Sequence, residues 1–362
     1  MSKNPLLKKF KGYSRTFVVH SNAGPYAAAA AMGGVMGRST EQGQYFHFST
    51  TLIPPIEHDD DADADCELVP SDLKVDFKAD WGKFLCHDGL PVCGLKFDES
   101  HTSEENTMRY LNAHNRRIPI PTRRTVHESR ELSVPPEYEQ DYLALKTAIS
   151  SGQDLKSHLS RDILKRKRPD RNDGLLNAWG IQHLHFRPEG TDPILFCRIT
   201  DTDVFVIQAL PHNDGVWVDT RLLQILHDNW PEVIAVGKIR GIPAEVVPSS
   251  KRFSLRNQNA NFTTTMTDGT VYLAPGGGLM ASGECSEDRT HCDKIFSELA
   301  YWQQIVTGNA TSVRAALNWP PSKQLSIKMM FKDRECCLYE PTTGTKLSLN
   351  LQTGGASPMQ ED

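Results

Sequence analysis

The spacing of apolar positions changes several times along the chain, and each change marks an element. Tyr138, Tyr142, Leu145 and Ile149 recur at intervals of three and four, which predicts an amphipathic helix. Pro135 and Pro136 precede it, and Gly152 is placed to end it with a left-handed cap. A second helix is predicted over residues 154–167, with Leu155, Leu159 and Ile163 on one side and Pro169 as its stop. The pattern then becomes strand-like. Residues 125–132, 194–199 and 204–210 read as extended, the last two joined as a hairpin through Thr200-Asp201-Thr202-Asp203. A short helix over 220–227 follows, with Asp219 as its cap.

The flanks carry weaker patterns. Upstream, residues 15–20 and 45–52 read as extended, and the alanine-rich stretch 25–36 as a helix begun by Pro25. Asp88-Gly89, between WGKFLC and LPVCGLKF, predicts a hairpin. Residues 98–115 are polar, with one short helix near 104–114. Downstream, Asp268-Gly269 predicts another hairpin, 293–306 an amphipathic helix, and 324–331, 336–340 and 346–351 a meander. The fold class expected is α+β: a central helix-helix-antiparallel sheet domain over 121–235, flanked by mixed α+β regions at 1–120 and 236–352. A disordered tail is expected over 353–362.

Length and composition fit this division. The chain has 362 residues, 38% hydrophobic and 23% charged, which is globular composition in more than one domain. No run approaches the roughly 20 apolar residues of a membrane helix, and the N-terminus has no apolar signal core. The expectation is therefore a protein with no membrane association. Eight irregularly spaced cysteines do not form a disulfide framework, which points to a reduced, cytoplasmic setting.

The net charge of −5 conceals local asymmetry. Residues 57–65 hold six acids in nine positions, within an acidic loop expected over 57–67. Residues 109–131 carry six arginines against two glutamates, and 156–187 carry eight cations against three aspartates. A basic strip of this kind either meets an anionic ligand or forms a solvated face.

His183 and His185 are the sharpest chemical feature. In a strand, residues two apart share a face, so both imidazoles and Arg187 are expected together, lining an open groove, with Leu184 and Phe186 opposite in the core. His212 ends the following hairpin and is placed to return to the same edge. Histidine titrates near neutrality, which suits acid–base catalysis. Three readings stay open: an acid–base set, a metal site completed by Asp173 or Asp214, and a structural pair. Arg161, Lys165 and Arg166 end the second predicted helix, where the helix dipole favours cations, and they also suit phosphate. Trp179, Trp217 and Trp230 are expected in the core, with base stacking as the alternative. Gly276-Gly277-Gly278 lacks a P-loop's Lys-Ser/Thr and is expected to be a flexible loop. The six-residue spacing of Cys285 and Cys292 is too wide for a zinc knuckle, and neither GxSxG nor HExxH occurs. No cofactor is expected.

The order strand, helix, helix, antiparallel strands resembles the RelE/ParE toxin superfamily. It is carried by TVHESREL, PPEYEQDYLALKTAISSG, DLKSHLSRDILKRK, IQHLHFRP, PILFCRIT and DVFVIQALPH. The resemblance implies a small metal-independent ribonuclease core, or a gyrase-poisoning relative without nuclease activity. By position in that topology, His183, His185 and His212 would be catalytic, with Arg187, Arg166, Lys165 and Arg161 toward substrate. RNA would be the substrate, and an inhibitory or activating protein the partner. The alternatives are a non-catalytic nucleic-acid or protein-binding regulator, and a metal-dependent hydrolase built on the HxH pair.

Overall fold

The structure, a computed structural model, describes residues 73–160, 172–243, 246–332 and 335–350, with the backbone of short strands at 17–18, 47–48 and 355–358. The expected helix at 25–36, the acidic loop 57–67, and Arg161, Lys165 and Arg166 lie outside these residues, whereas the tail expected to be disordered contains the strand Gly355–Pro358, ordered by antiparallel backbone pairing with Lys346–Asn350. The class is α+β. The described residues fall into two compact units, 89–293 and a second made of 73–88 with those from 294 onward.

After a single helical turn at Leu90–Val92, unit 89–293 enters α1 (Ser103–Leu111) through a capping box between Thr102 and Glu105. It then runs β1 (Thr125–Glu128), α2 (Glu139–Ser151), α3 (Gly174–Trp179), β2 (Gln182–His185), β3 (Ile194–Ile199), β4 (Asp203–Leu210) and α4 (Thr220–Asn229). The caps follow the residues that predict them. Gly152 ends α2 at φ 78°, and Asp219 accepts from the Arg221 amide at 3.0 Å at the start of α4. The expected second helix is replaced, where described, by a single 3-10 turn at Lys156–His158 that leaves Leu159 extended.

The four strands form one sheet in the order β1-β4-β3-β2. β1 runs parallel to β4, with Thr125 beside Asp203, and the β4-β3 and β3-β2 pairs are antiparallel. Both faces are covered, which is why β3 and β4 read as nearly continuous apolar runs. One face, bearing Leu184, Leu195 and Val206, packs on Tyr142, Leu145 and Ile149 of α2. The other, bearing Phe196, Phe205 and Ile207, packs on Leu222, Leu223 and Leu226 of α4.

The sequence expects a domain end at residue 235, but the unit continues to 293. Its three-stranded sheet, β5 (Lys238–Ile239), β6 (Thr263–Thr265) and β7 (Val271–Leu273), is joined through α5 (Ser249–Asn257). Phe262, Met266, Tyr272 and Leu279 from this stretch enter the α4-side core, so severing the chain at 235 would expose that face.

In the other unit, the strand Leu73–Val75 pairs in parallel with Leu325–Lys332, which pairs antiparallel with Glu335–Tyr339. Asp88-Gly89 does not turn a hairpin. The helix Phe77–Phe84 runs on into a π-turn at Leu85–Gly89, because Phe77, Trp81 and Leu85 recur every four residues and are all buried. The Asp76 side chain caps that helix on the Ala79 amide.

Candidate functional site

Three of the residues singled out in sequence come together. β2 delivers His183 and His185, and His212 follows the end of β4. The ring centroids of His183 and His185 are 6.2 Å apart, and those of His183 and His212 are 6.5 Å apart. Between them sits Trp217, with its ring 5.1 Å from His183 and 5.2 Å from His212. Trp217 reaches this place because Asn213 accepts from the Gly215 and Val216 amides and starts a tight 3-10 turn at Asp214–Val218. The Asn213-Asp214-Gly215 turn signal is legible in the sequence; its consequence for Trp217 is not.

On the histidine face, His183 and His185 are half-buried. His183 lies under Trp217 beside Phe196, and its buried Nδ1 has no hydrogen-bond partner among the described residues. Burial lowers its pKa. The positive charges of Arg117 and protonated His185 or His212 act in the same direction, and Asp173 acts against them. His183 is therefore a neutral imidazole at pH 7. His212 is exposed.

His185 is fixed by the turn after β2. Its Nδ1 lies 2.9 Å from the Thr191 amide nitrogen and 3.1 Å from the Thr191 carbonyl oxygen. A neutral ring accepts from the amide, and a protonated ring donates to the carbonyl, so the ring keeps its anchor in either state. Asp192 ties this turn to the third histidine: its Oδ1 accepts from the His212 amide at 2.8 Å. Thr191, Asp192 and Trp217 are thus site-building residues that strand periodicity did not reveal.

Arg187 is not part of the cluster. β2 ends at His185, so the strict alternation that predicts a shared face stops there. Its guanidinium instead binds Asp141 of α2 at 2.7 Å and lies 5.1 Å from the Tyr138 ring. α2 covers the opposite face of the sheet.

The spacing of the imidazoles bears on the metal reading. Two histidines sharing a tetrahedral zinc at ~2.1 Å bring their ring centroids to about 5 Å. The separations here are wider, and among the described residues no group of three ligating side chains is arranged to hold a metal. An acid–base pair needs no common centre, only reach to neighbouring oxygens of one substrate group.

The triple glycine is docked rather than flexible. The Gly276 amide donates to the Ala178 carbonyl at 3.0 Å and the Gly278 amide to the Asn177 carbonyl at 2.8 Å, clasping the C-terminal end of α3. Trp179, at that end, is 1% exposed, and Trp217 and Trp230 pack half-buried against the same core. No protein-family model, curated protein or solved structure matches this chain.

Proposed function

We propose that unit 89–293 carries a metal-independent endoribonuclease centred on His183, His185 and His212. The observation that carries the reading is the convergence of three imidazoles from β2 and from the segment after β4, with His183 and His212 against Trp217 and His185 beside His183. The choice of RNA rests on the resemblance to RelE/ParE toxins, of which the described residues keep the chain order strand β1, helix α2, then the antiparallel strands β2, β3 and β4. In this reading, His183 or His185 takes the proton from a ribose 2′-hydroxyl, whose oxygen attacks the adjacent phosphorus. The bond to the 5′-oxygen breaks as His212 protonates it, leaving a 2′,3′-cyclic phosphate and a 5′-hydroxyl. A neutral His183 suits the base, and an exposed His212 suits the acid, since it can exchange its proton with solvent. Each such proton transfer contributes typically ~10²–10⁴ in rate. The setting would be cytoplasmic, as a toxin or anti-phage effector restrained by a protein partner. Among the described residues no helix is long and apolar enough to cross a membrane.

The test is incubation of the purified chain with cellular RNA, with and without EDTA, beside His183→Ala/His185→Ala, His212→Ala and Arg187→Ala. Cleavage that persists in EDTA and in Arg187→Ala, but is lost in the histidine variants, supports the reading. Chelator-sensitive cleavage assigns the chemistry to a metal, and no cleavage by the folded wild type removes the activity.

A further inference from the structure

Arg256 projects from α5 and is 8% exposed. Its guanidinium lies 4.9 Å from the ring centroid of Trp179 and 5.4 Å from that of Phe262. Nη1 donates to the Gly174 carbonyl at 2.7 Å. Nε and Nη2 are both buried and have no acceptor among the described residues. Arg124 and Arg198, also buried, are engaged by backbone carbonyls. Arg124 spends its Nε on the Thr200 carbonyl and its Nη1 on those of Ile120 and Thr122, and Arg198 spends Nη1 on Trp179 and Pro275. Burial pulls the Arg256 pKa down to about 10, which still leaves it charged at neutral pH.

The two unused nitrogens are not an arbitrary pair. Nε and Nη2 form one edge of the planar guanidinium, with parallel N–H bonds spaced for two oxygens of a single oxyanion. The aromatic rings occupy the space beside the guanidinium, and the Gly174 carbonyl takes the other side of the fork. We propose that this edge of Arg256 is a binding site for a singly charged oxyanion, the chemistry shared by a phosphodiester and a carboxylate group. Asp173, which accepts from the Leu175 and Leu176 amides at 3.1 and 3.0 Å, supplies one negative charge near the guanidinium. Asp173 repels a dianion in this place twice as strongly as a monoanion, which favours the singly charged ligand. The site stands apart from the ribonuclease reading, because it holds whether or not the histidines cleave anything.

Isothermal titration of the full chain with dimethyl phosphate and with acetate tests it, in wild type, Arg256→Lys and Arg256→Met. Wild type is expected to bind one equivalent of at least one probe saturably; which probe binds distinguishes the two sources. Arg256→Lys keeps the charge but lacks the fork and is expected to lose at least tenfold in affinity, and Arg256→Met to lose binding altogether. No saturable binding to wild type, or equal affinity across the three proteins, overturns the proposal. If Arg256→Met fails to fold, the Nε–H resonance of Arg256 in the wild-type NMR spectrum decides: it shifts on titration if the site binds, and an unmoved resonance overturns the proposal.

Discussion

Replacing Gly276 by alanine tests the claim that the glycine loop is a docking element. A Cβ there would lie 2.1 Å from the Gly180 nitrogen, 2.4 Å from the Leu176 oxygen and 2.7 Å from the Trp179 nitrogen. All three are backbone atoms, so no rotamer change relieves the clash; either α3 or the loop must move. Moving the loop strains or breaks two backbone hydrogen bonds, at 3.0 and 2.8 Å, each worth about 0.5–1.5 kcal/mol. Overpacking adds about 1–3 kcal/mol. The expected cost is therefore about 2–6 kcal/mol, measured by urea unfolding followed by tryptophan fluorescence. Gly241→Ala is the control. Gly241 has φ 76° with nothing within 4 Å of the added Cβ, so it reports backbone strain alone, about 1–2 kcal/mol. If Gly276→Ala costs no more than Gly241→Ala, the close approach does not hold α3 in place.

Two other outcomes follow from the same physics. Because burial holds the folded pKa of His183 below its unfolded value of ~6.5, the unfolded chain binds more protons as pH falls. Stability should be unaffected by this group above pH ~6.5 and decline below it, by at most about 1.4 kcal/mol per pH unit. His183→Gln should flatten that limb of a pH–stability curve, and an unchanged slope contradicts a half-buried imidazole held neutral. His227 of α4 bridges Tyr272, whose hydroxyl lies 2.9 Å from Nδ1, and Asp268, 3.2 Å from Nε2. His227→Ala should cost about 1–3 kcal/mol by stranding the Tyr272 hydroxyl, and adding Tyr272→Phe should recover part of it in a double-mutant cycle. Additive effects would mean the two side chains are not coupled.

Local pattern was enough for most elements of unit 89–293. The three- and four-residue spacing of Tyr142, Leu145 and Ile149, the Gly152 and Asp219 caps, and the hairpins at 194–210 and 263–273 all reflect short-range sterics and hydrogen bonding, which depend on neighbours in sequence. Asp88-Gly89 misled for a related reason: a turn dipeptide is a weaker force than a helix whose fourth-residue repeat of Phe77, Trp81 and Leu85 buries all three side chains.

The site divides in the same way. Sequence alone determined that His183 and His185 share a face, because alternation is a property of a single strand. It could not determine where that face ends. Arg187 left it once β2 stopped and Asp141 offered an ion pair on α2. Only the tertiary structure decided that Trp217 covers His183, that Asp192 draws His212 to the turn after β2, and that two donors of Arg256 remain unused. Each depends on contacts between residues far apart in the chain. The free energy of burying an imidazole or a guanidinium is set by what surrounds it in space, which no local spacing encodes.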